Sequence, residues 1–328
     1  MHHFRRVALP ALISIALAGC AVQPGAQKDG EQAFQALQPI DVTVGIQQSE
    51  PYAGYVVSRT GEAAANSCAA LPGIGLLLAV ACGSAGGAVD GKINAERAKA
   101  ADETIRPVKD QLVDIKFDEL VNGALSKELR AMPDTQIARF TTTKNVAANA
   151  YEESYRASTA NGVMFITVDY HLSRDFRALQ VSASSLLYSR EEPEQKLAGS
   201  SADRLTTTES VLAIRNAKRR SHVVYELRLP LPVKASPVEC VEAWKADSAR
   251  ALRLGLQNAV IEVARLTAED LQREPAVKEP RGKVVKRNGG EIIRHRDGST
   301  HFNLTTQDLL DATASTAAAA PSVETSSR

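Results

Sequence analysis

The stretch GVMFITVDYHLSRDFRALQVSASSLLY, residues 162–188, predicts the β-hairpin around which the rest of the fold is arranged. Apolar residues alternate along its first half and share one face, formed by Met164, Ile166, Val168, Tyr170 and Leu172. A period of two is the pattern of a strand that is buried on one side. The opposite face carries Thr167, Asp169 and His171. Residues 173–178 supply turn residues, so the chain returns over residues 179–188 as the partner strand.

Other stretches supply further strands and an amphipathic helix. Alternating apolar residues predict strands over residues 41–47, 136–142 and 220–231. Residues 107–132 form the clearest amphipathic pattern, and its apolar face consists of Val113, Phe117, Leu120 and Ala124. We therefore expect one continuous helix from Pro107 to Met132.

A second, longer helix has a well-marked start. Ser236 is a suitable N-cap, Pro237 fits the first helical position, and Glu239 completes a capping box. The helix then runs to about Leu271, and Trp244 is expected to anchor it in the core. Because strands come in adjacent pairs with helices grouped around them, the order predicts an α+β fold. We expect a mostly antiparallel sheet with helices on one face, a Gly/Ala-rich apolar helix and a small C-terminal β-meander.

The first residues form a targeting segment. Arg5 and Arg6 precede an apolar run, and the run ends in Leu17-Ala18-Gly19-Cys20. This order resembles a bacterial lipobox, and that resemblance implies cleavage before Cys20 and lipidation of its sulfur. Ala21 follows the cysteine, and by resemblance to sorted lipoproteins this favours the outer membrane. We therefore expect a lipid-anchored protein that faces the periplasm.

Composition limits the classes of partner. The 328 residues carry a formal charge of +1, which falls to −1 when Arg5 and Arg6 leave with the signal peptide. No overall field therefore favours nucleic acid. The mature chain keeps Cys20, Cys68, Cys82 and Cys240. An oxidising periplasm would allow a disulfide between Cys68 and Cys82, and two free buried thiols are the equal alternative.

The stretch GLLLAVACGSAGGAVDG, residues 75–91, places a small residue at every fourth position: Gly75, Ala79, Gly83, Gly87 and Gly91. Residues four apart lie on the same side of a helix. Each glycine costs about 1 kcal/mol of helix stability relative to alanine, so four cost roughly 4 kcal/mol. Close backbone approach to another helix is the usual compensation.

Three interpretations of this stretch remain open. The segment packs inside the soluble domain, or it inserts in a membrane and self-associates, or it pairs with a periplasmic partner protein. Residues 69–89 are uncharged and long enough to cross a bilayer, although Pro72 and the many glycines make a weak span.

The spacing resembles the glycine-zipper segments of bacterial envelope lipoproteins, and the likeness covers about residues 73–95. It implies membrane association or oligomerisation. The whole layout is similar to uncharacterised proteobacterial outer-membrane lipoproteins, in which a Gly-rich segment runs into an N-x-x-R-A-x-x-A pattern. Here that pattern is formed by Asn94, Arg97, Ala98 and Ala101.

We divide the chain into six segments: signal peptide 1–19, tether 20–40, strand and glycine-zipper segment 41–105, periplasmic α+β domain 106–272, β-meander 273–305 and disordered tail 306–328. Two turn signals, Asn288-Gly289 and Asp297-Gly298, each predict a type I′ turn in the meander.

Known catalytic patterns are missing from the sequence. It has no G-x-S-x-G elbow, no phosphate-binding loop and no H-E-x-x-H pair, so we expect no enzyme, no cofactor and no metal. His171 and His222 lie on polar strand faces, where solvated positions are expected, and His295 and His301 lie in the meander. We expect an assembly component of the cell envelope that binds the membrane through its lipid and forms homo-oligomers. The alternative is a binding module for an unidentified envelope protein or for peptidoglycan, with the glycine-rich segment buried.

Overall fold

A nine-stranded mixed β-sheet organises the computed structural model, which describes residues 34–46, 48, 50–54, 88–144, 150–190, 217–273, 284–295 and 297–319. The strands are β1 (Ile40–Ile46), β2 (Tyr52–Ala53), β3 (Ile137–Lys144), β4 (Gly162–Leu172), β5 (Ala178–Ser189), β6 (Arg219–Arg228), β7 (Val284–Arg287), β8 (Gly290–Arg294) and β9 (Ser299–Thr305). The helices described are α1 (Ala88–Lys109), α2 (Phe117–Arg130), α3 (Ala150–Ala157), α4 (Pro237–Gln272) and α5 (Thr306–Ala319). This is an α+β fold, as predicted.

The strand order is β3-β1-β4-β5-β6-β9-β8-β7, and β2 pairs with β4 beyond the end of β1. The hairpins β4–β5, β5–β6, β7–β8 and β8–β9 are antiparallel. Strand β1 runs parallel to both of its neighbours, and β9 runs parallel to β6. The predicted hairpin therefore lies at the centre of the sheet, between pairings that are distant in sequence.

The main core lies between one face of the sheet and helices α1, α2, α4 and α5. The alternating residues of β4, such as Met164 and Ile166, are fully buried there, together with Leu125 of α2 and Leu256 of α4. Gly255 allows α4 to approach β6 closely, because a Cβ at this position would lie 2.4 Å from Leu227 Cδ2 of β6.

A second cluster contradicts the expectation that all helices lie on one face. Helix α3 packs on the opposite face, where its Tyr151 and Tyr155 contact Val163, Phe165 and Tyr188. The Tyr155 hydroxyl donates to the Ser189 carbonyl oxygen at 2.9 Å. The odd-numbered residues at the start of β4 are themselves apolar, so this end of the strand is buried on both faces.

The long helix begins as predicted and then bends. The Ser236 side chain accepts from the Glu239 N–H, and the Glu239 carboxylate accepts from the Ser236 N–H, which completes the capping box. Trp244 is fully buried and its Nε1 donates to the Phe176 carbonyl oxygen at 2.7 Å, so the core-anchor prediction is confirmed. Residues 246–249 leave helical geometry, so α4 consists of two helical segments joined at a kink.

The predicted helix from Pro107 to Met132 is wrong in its extent. Pro107 lies inside α1, the chain leaves helical geometry after Lys109, and α2 begins only at Phe117. Val113, which was expected on the apolar face, is 82% exposed. The loop between α1 and α2 is held against α4 instead. Arg253 of α4 pairs with Asp114 at 2.7 Å and donates to the Gln111 carbonyl oxygen.

The C-terminal segments also differ from the prediction. The three-stranded meander forms, but it continues the main sheet through β9, and residues 306–319 are helix α5 instead of disordered tail. Asn288 and Gly289 both have positive φ, as a type I′ turn requires. Asp297 does not, so the second turn is of another type, with Gly298 alone in the left-handed region.

Candidate functional site on the outer face of the sheet

The candidate site is the sheet face opposite α1, α2, α4 and α5, which we call the outer face. Four neighbouring strands present three rows of side chains there. The rows are Thr167–Ser184–His222–Ser299, Asp169–Ser182–Val224–His301 and His171–Gln180–Glu226–Asn303. All are polar except Val224, and we call this set the polar grid. It adjoins α3, whose Tyr151 hydroxyl lies 2.7 Å from Thr167 Oγ1.

One side of the polar grid is an aspartate–histidine–tyrosine cluster. His171 Nδ1 lies 2.7 Å from an Asp169 carboxylate oxygen, and the Tyr52 hydroxyl donates to the same carboxylate at 3.1 Å. The rings of Tyr52 and His171 stack with centroids 5.1 Å apart. Asp169 is only 6% exposed, so these hydrogen bonds are what satisfy its buried oxygens. The histidine ring is thereby held in one orientation.

The other side of the polar grid is a histidine cluster formed by three adjacent strands. Ser184 Oγ and His222 Nδ1 share a hydrogen bond at 3.0 Å. The His295 and His301 rings meet edge to face with centroids 4.4 Å apart. Asp297 lies at the same end and accepts from the Ser299 N–H at 2.9 Å.

The electrostatics of this cluster favour neutral imidazoles. Burial and the neighbouring His301 lower the pKa of His222 to about 4, and Asp297 opposes the shift. Burial and His295 likewise lower the pKa of His301. Burial raises the pKa of Asp297, but the two hydrogen bonds from Ser299, together with the neighbouring His295 and His222, give a net downward shift.

Between the two clusters, the polar grid contains an amide and a carboxylate that are hydrogen-bonded to each other. Gln180 Nε2 donates to Glu226 Oε2 at 2.7 Å, and the other Glu226 oxygen accepts from Arg228. Hydroxyl, amide and imidazole groups that are fixed in this way suit hydrogen bonding to a polar ligand. Within the described ranges, no group of three histidine, cysteine or acidic side chains is placed to hold a metal ion.

The sequence placed His171 and His222 in solvated positions, and this is wrong. Both are half-buried and both have hydrogen-bond partners on the sheet. The alternation of β4 did indicate that Thr167, Asp169 and His171 share a face. The register with β5, β6 and β9 brings the rest of the polar grid to them, and nothing in a single sequence indicates that register.

The residues predicted to form the lipid site and the association face fall mostly outside the described residues. These are Cys20, Gly75, Ala79, Gly83 and Gly87, together with the proposed disulfide partners Cys68 and Cys82. Gly91 lies in α1. Cys240 carries a free thiol that is fully buried in the core, where burial raises its pKa.

Among the described side chains of α1, those that pack on the core lie in its second half. Ala95 is exposed, and the first buried side chain among those described is Ala101, followed by Ile105 and Val108. None of the helices in the described ranges combines the length and apolar character that crossing a bilayer requires. Comparison with known proteins adds no further assignment, because neither a protein-family description nor a curated protein matches this sequence.

Proposed function

We propose that this chain is an outer-membrane lipoprotein, anchored through acylated Cys20, that acts as a non-enzymatic assembly component of the cell envelope. Its α+β domain faces the periplasm, and its glycine-zipper segment associates with other helices. The lipobox Leu17-Ala18-Gly19-Cys20 supports the anchor. Two or more acyl chains hold a protein at a membrane far more firmly than one chain does.

The exposure of Ala95 in α1 is the observation that carries the assembly role. The small-residue spacing Gly83, Gly87, Gly91 continues to Ala95, which is one turn further along the same helix face. Ala95 is exposed, and so are its neighbours Glu96 and Arg97. The domain core therefore does not cover this end of the small-residue face, as it would if the segment simply packed inside the domain.

The energetics favour association of that face with a partner helix. Glycines at this spacing cost roughly 4 kcal/mol of helix stability. Backbone contact along a small-residue face can offset such a cost through dispersion and weak Cα–H···O bonds. A second copy of the same segment offers the same face, so a homo-oligomer is the simplest partner.

Fractionation of a lipid-free form tests the proposal. The chain carries Cys20→Ala and a signal peptide that is not of the lipoprotein type, and its distribution between periplasm and carbonate-washed membrane is measured. Retention in the membrane would support an inserted, self-associating segment. Release as a soluble monomer would overturn the assembly role of residues 69–91 and leave Cys20 as the anchor.

The polar grid favours a second candidate, a periplasmic binding module for a partner protein or peptidoglycan. The hairpin β4–β5 and the meander strand β9 contribute to one face with fixed hydrogen-bonding groups. Gly83→Leu combined with Gly87→Leu separates the two functions. Under the first proposal, the membrane retention and helix association that residues 69–91 provide should be lost in this variant, whereas a binding module should keep both its fractionation and its capture of peptidoglycan.

A further inference from the structure

Strand β3 forms one edge of the sheet, and β1 is its only strand partner in the described part of the chain. It is eight residues long, IARFTTTK, and contains no proline or glycine. Five of its residues are exposed: Ala138, Arg139, Thr141, Thr143 and Lys144. An edge of this length presents a row of backbone groups that can pair with another strand.

The hydrogen bonds of β1 identify which backbone groups of β3 point outward. The Pro39 carbonyl oxygen accepts from Gly162, at the start of β4, whereas the next residue, Ile40, donates to the Gln136 carbonyl oxygen beside β3. Alternate residues of β1 therefore face β3, and Val42 is one of them. In a parallel pair, such a residue bonds to the two residues that flank its register partner.

The register partner of Val42 is Phe140, and that of Val44 is Thr142. The groups of β3 that bond to β1 are consequently those of Arg139, Thr141 and Thr143. The N–H and C=O groups of Phe140 and Thr142 then point away from the sheet. They offer hydrogen bonds to a strand laid along this edge.

The opposite edge of the sheet is protected by its short length and its charge, whereas β3 has a register shift at Ala138 and then pairs without interruption with β1 from Arg139 to Lys144. Strand β7 has only four residues, and two of these are Lys286 and Arg287. Short, charged edge strands are a common defence against further pairing. The two charges of β3 are held by its own chain instead, because Arg139 pairs with Asp41 at 3.0 Å and Lys144 pairs with Asp118 at 2.8 Å.

We propose that β3 pairs antiparallel with β3 of a second copy of this chain, so that the two sheets become one across a two-fold axis. The sequence of β3 is compatible with its own copy. In the register centred on Phe140, Arg139 lies opposite Thr141, and Lys144 lies level with Gln136, beyond the register shift at Ala138. In the register centred on Thr141, they lie opposite Thr143 and Ala138. Neither register places like charges opposite each other, which would be destabilising.

This interface goes beyond the proposed function, because it uses the folded domain and requires neither the lipid nor the glycine segment. The experiment can therefore be made independent of both. The full mature chain carries Cys20→Ala, Gly83→Leu and Gly87→Leu, and its mass is measured by sedimentation velocity over a range of concentrations. We expect a reversible dimer.

Thr141→Lys tests the strand pairing. The new lysine would face Arg139 of the other copy in the first register and its own equivalent in the second. We expect the dimer dissociation constant to rise about tenfold. Val284→Lys is the matched control, because Val284 is an exposed residue on the opposite edge strand and its replacement should leave the dimer unchanged.

Thr142→Pro gives a second test that depends on the backbone. It removes an outward N–H and leaves the groups that bond to β1 in place, so proline is tolerated at this position of an edge strand. The dimer should be lost while the near-ultraviolet circular dichroism of the domain is kept. In the unmodified edge, the amides of Phe140 and Thr142 should be protected from hydrogen exchange only at concentrations where the dimer forms.

Three outcomes would overturn the proposal: a monomer at all concentrations, a dimer that Thr141→Lys and Thr142→Pro leave intact, or one that Val284→Lys weakens equally. A dimer seen only when Gly83 and Gly87 are restored would also overturn it. That last result would support the glycine zipper, so failure of this interface is distinguishable from failure of the proposed function.

Discussion

Acid should destabilise this domain through His222, and replacing that histidine should remove a measurable share of the effect. Its imidazole has a pKa near 4 in the folded chain, against about 6.5 in an unfolded one. The folded state therefore binds the proton more weakly than the unfolded state does. Above pH 6.5 both states are neutral and His222 contributes no pH dependence. As the pH falls from 6.5 towards 4, the unfolded state is protonated first and stability is lost.

The size of this loss follows from the two pKa values. At pH 4.5 the unfolded imidazole is almost fully protonated and the folded one is mostly neutral, so the difference in proton binding amounts to about 2 kcal/mol. For a domain of this size, such a change lowers the melting temperature by roughly 4–8 °C.

His222→Asn is the informative substitution. The asparagine side chain can keep a hydrogen bond to Ser184 and has no proton to gain in this range. The free energy of unfolding is measured by urea denaturation at pH 7.5 and at pH 4.5, for both proteins. Other groups titrate in this interval as well, and they cancel when the acid-induced loss of one protein is subtracted from that of the other.

We expect the wild-type chain to lose about 2 kcal/mol more than the variant on acidification. An equal loss in the two proteins would refute the reasoning, because it would mean that His222 protonates as easily when folded as when unfolded.

Four further substitutions test the fold itself. Leu125→Ala should lower the free energy of unfolding, measured by urea denaturation, by about 2–5 kcal/mol because the side chain is fully buried. Val113→Ala should change it by less than about 0.5 kcal/mol. Comparable losses in the two variants would support a continuous helix over residues 107–132. Ser236→Ala should lower stability by about 1 kcal/mol through loss of the N-cap, and a thermal melt that does not move would argue against the capping box. Tyr155→Phe should cost about 1 kcal/mol because the Ser189 carbonyl oxygen loses its buried donor, and faster amide exchange confined to α3 and the end of β5 would locate the effect.

The local elements of this fold could be predicted from the sequence because their signals are local. The period-two alternation of β4 and β5 identified the central hairpin, and the sequence Ser236-Pro237-Val238-Glu239 identified the start of α4. The break after α1 could not be predicted in this way. The apolar period happens to continue through Val113, and the contact that fixes the loop comes from Arg253, about 140 residues further along the chain.

Helix α5 could have been predicted from its composition. Alanine has the highest helix propensity, and residues 306–319 are rich in it. The Thr305 hydroxyl caps the first turn by accepting from the Asp308 N–H at 3.1 Å, and Leu309 is buried against the core. The Ala/Ser/Thr content taken alone predicts disorder, because the Thr305 cap and the burial of Leu309 are contacts that form only in the folded chain.

Only part of the candidate site could be predicted from the sequence. The polar face of β4 was visible in the alternation of Thr167, Asp169 and His171. Its histidine cluster depends on the parallel pairing of β6 with β9, and those strands are separated by the whole of α4 and the meander. Long-range pairing of this kind has no signature in one sequence.

The position of β9 between β6 and β8 also determines when the domain can be completed during synthesis. Strands β4, β5 and β6 are consecutive hairpins and can pair as soon as they emerge. The free side of β6 stays open until residues 299–305 are made, after the whole of α4 and the meander strands β7 and β8. Until then the nascent sheet has an unprotected edge at its middle, which is the situation in which aggregation competes with folding. A chain that stops before Ser299 would therefore lose more than strand β9, because β9 would no longer cover the edge of β6 in the middle of the sheet.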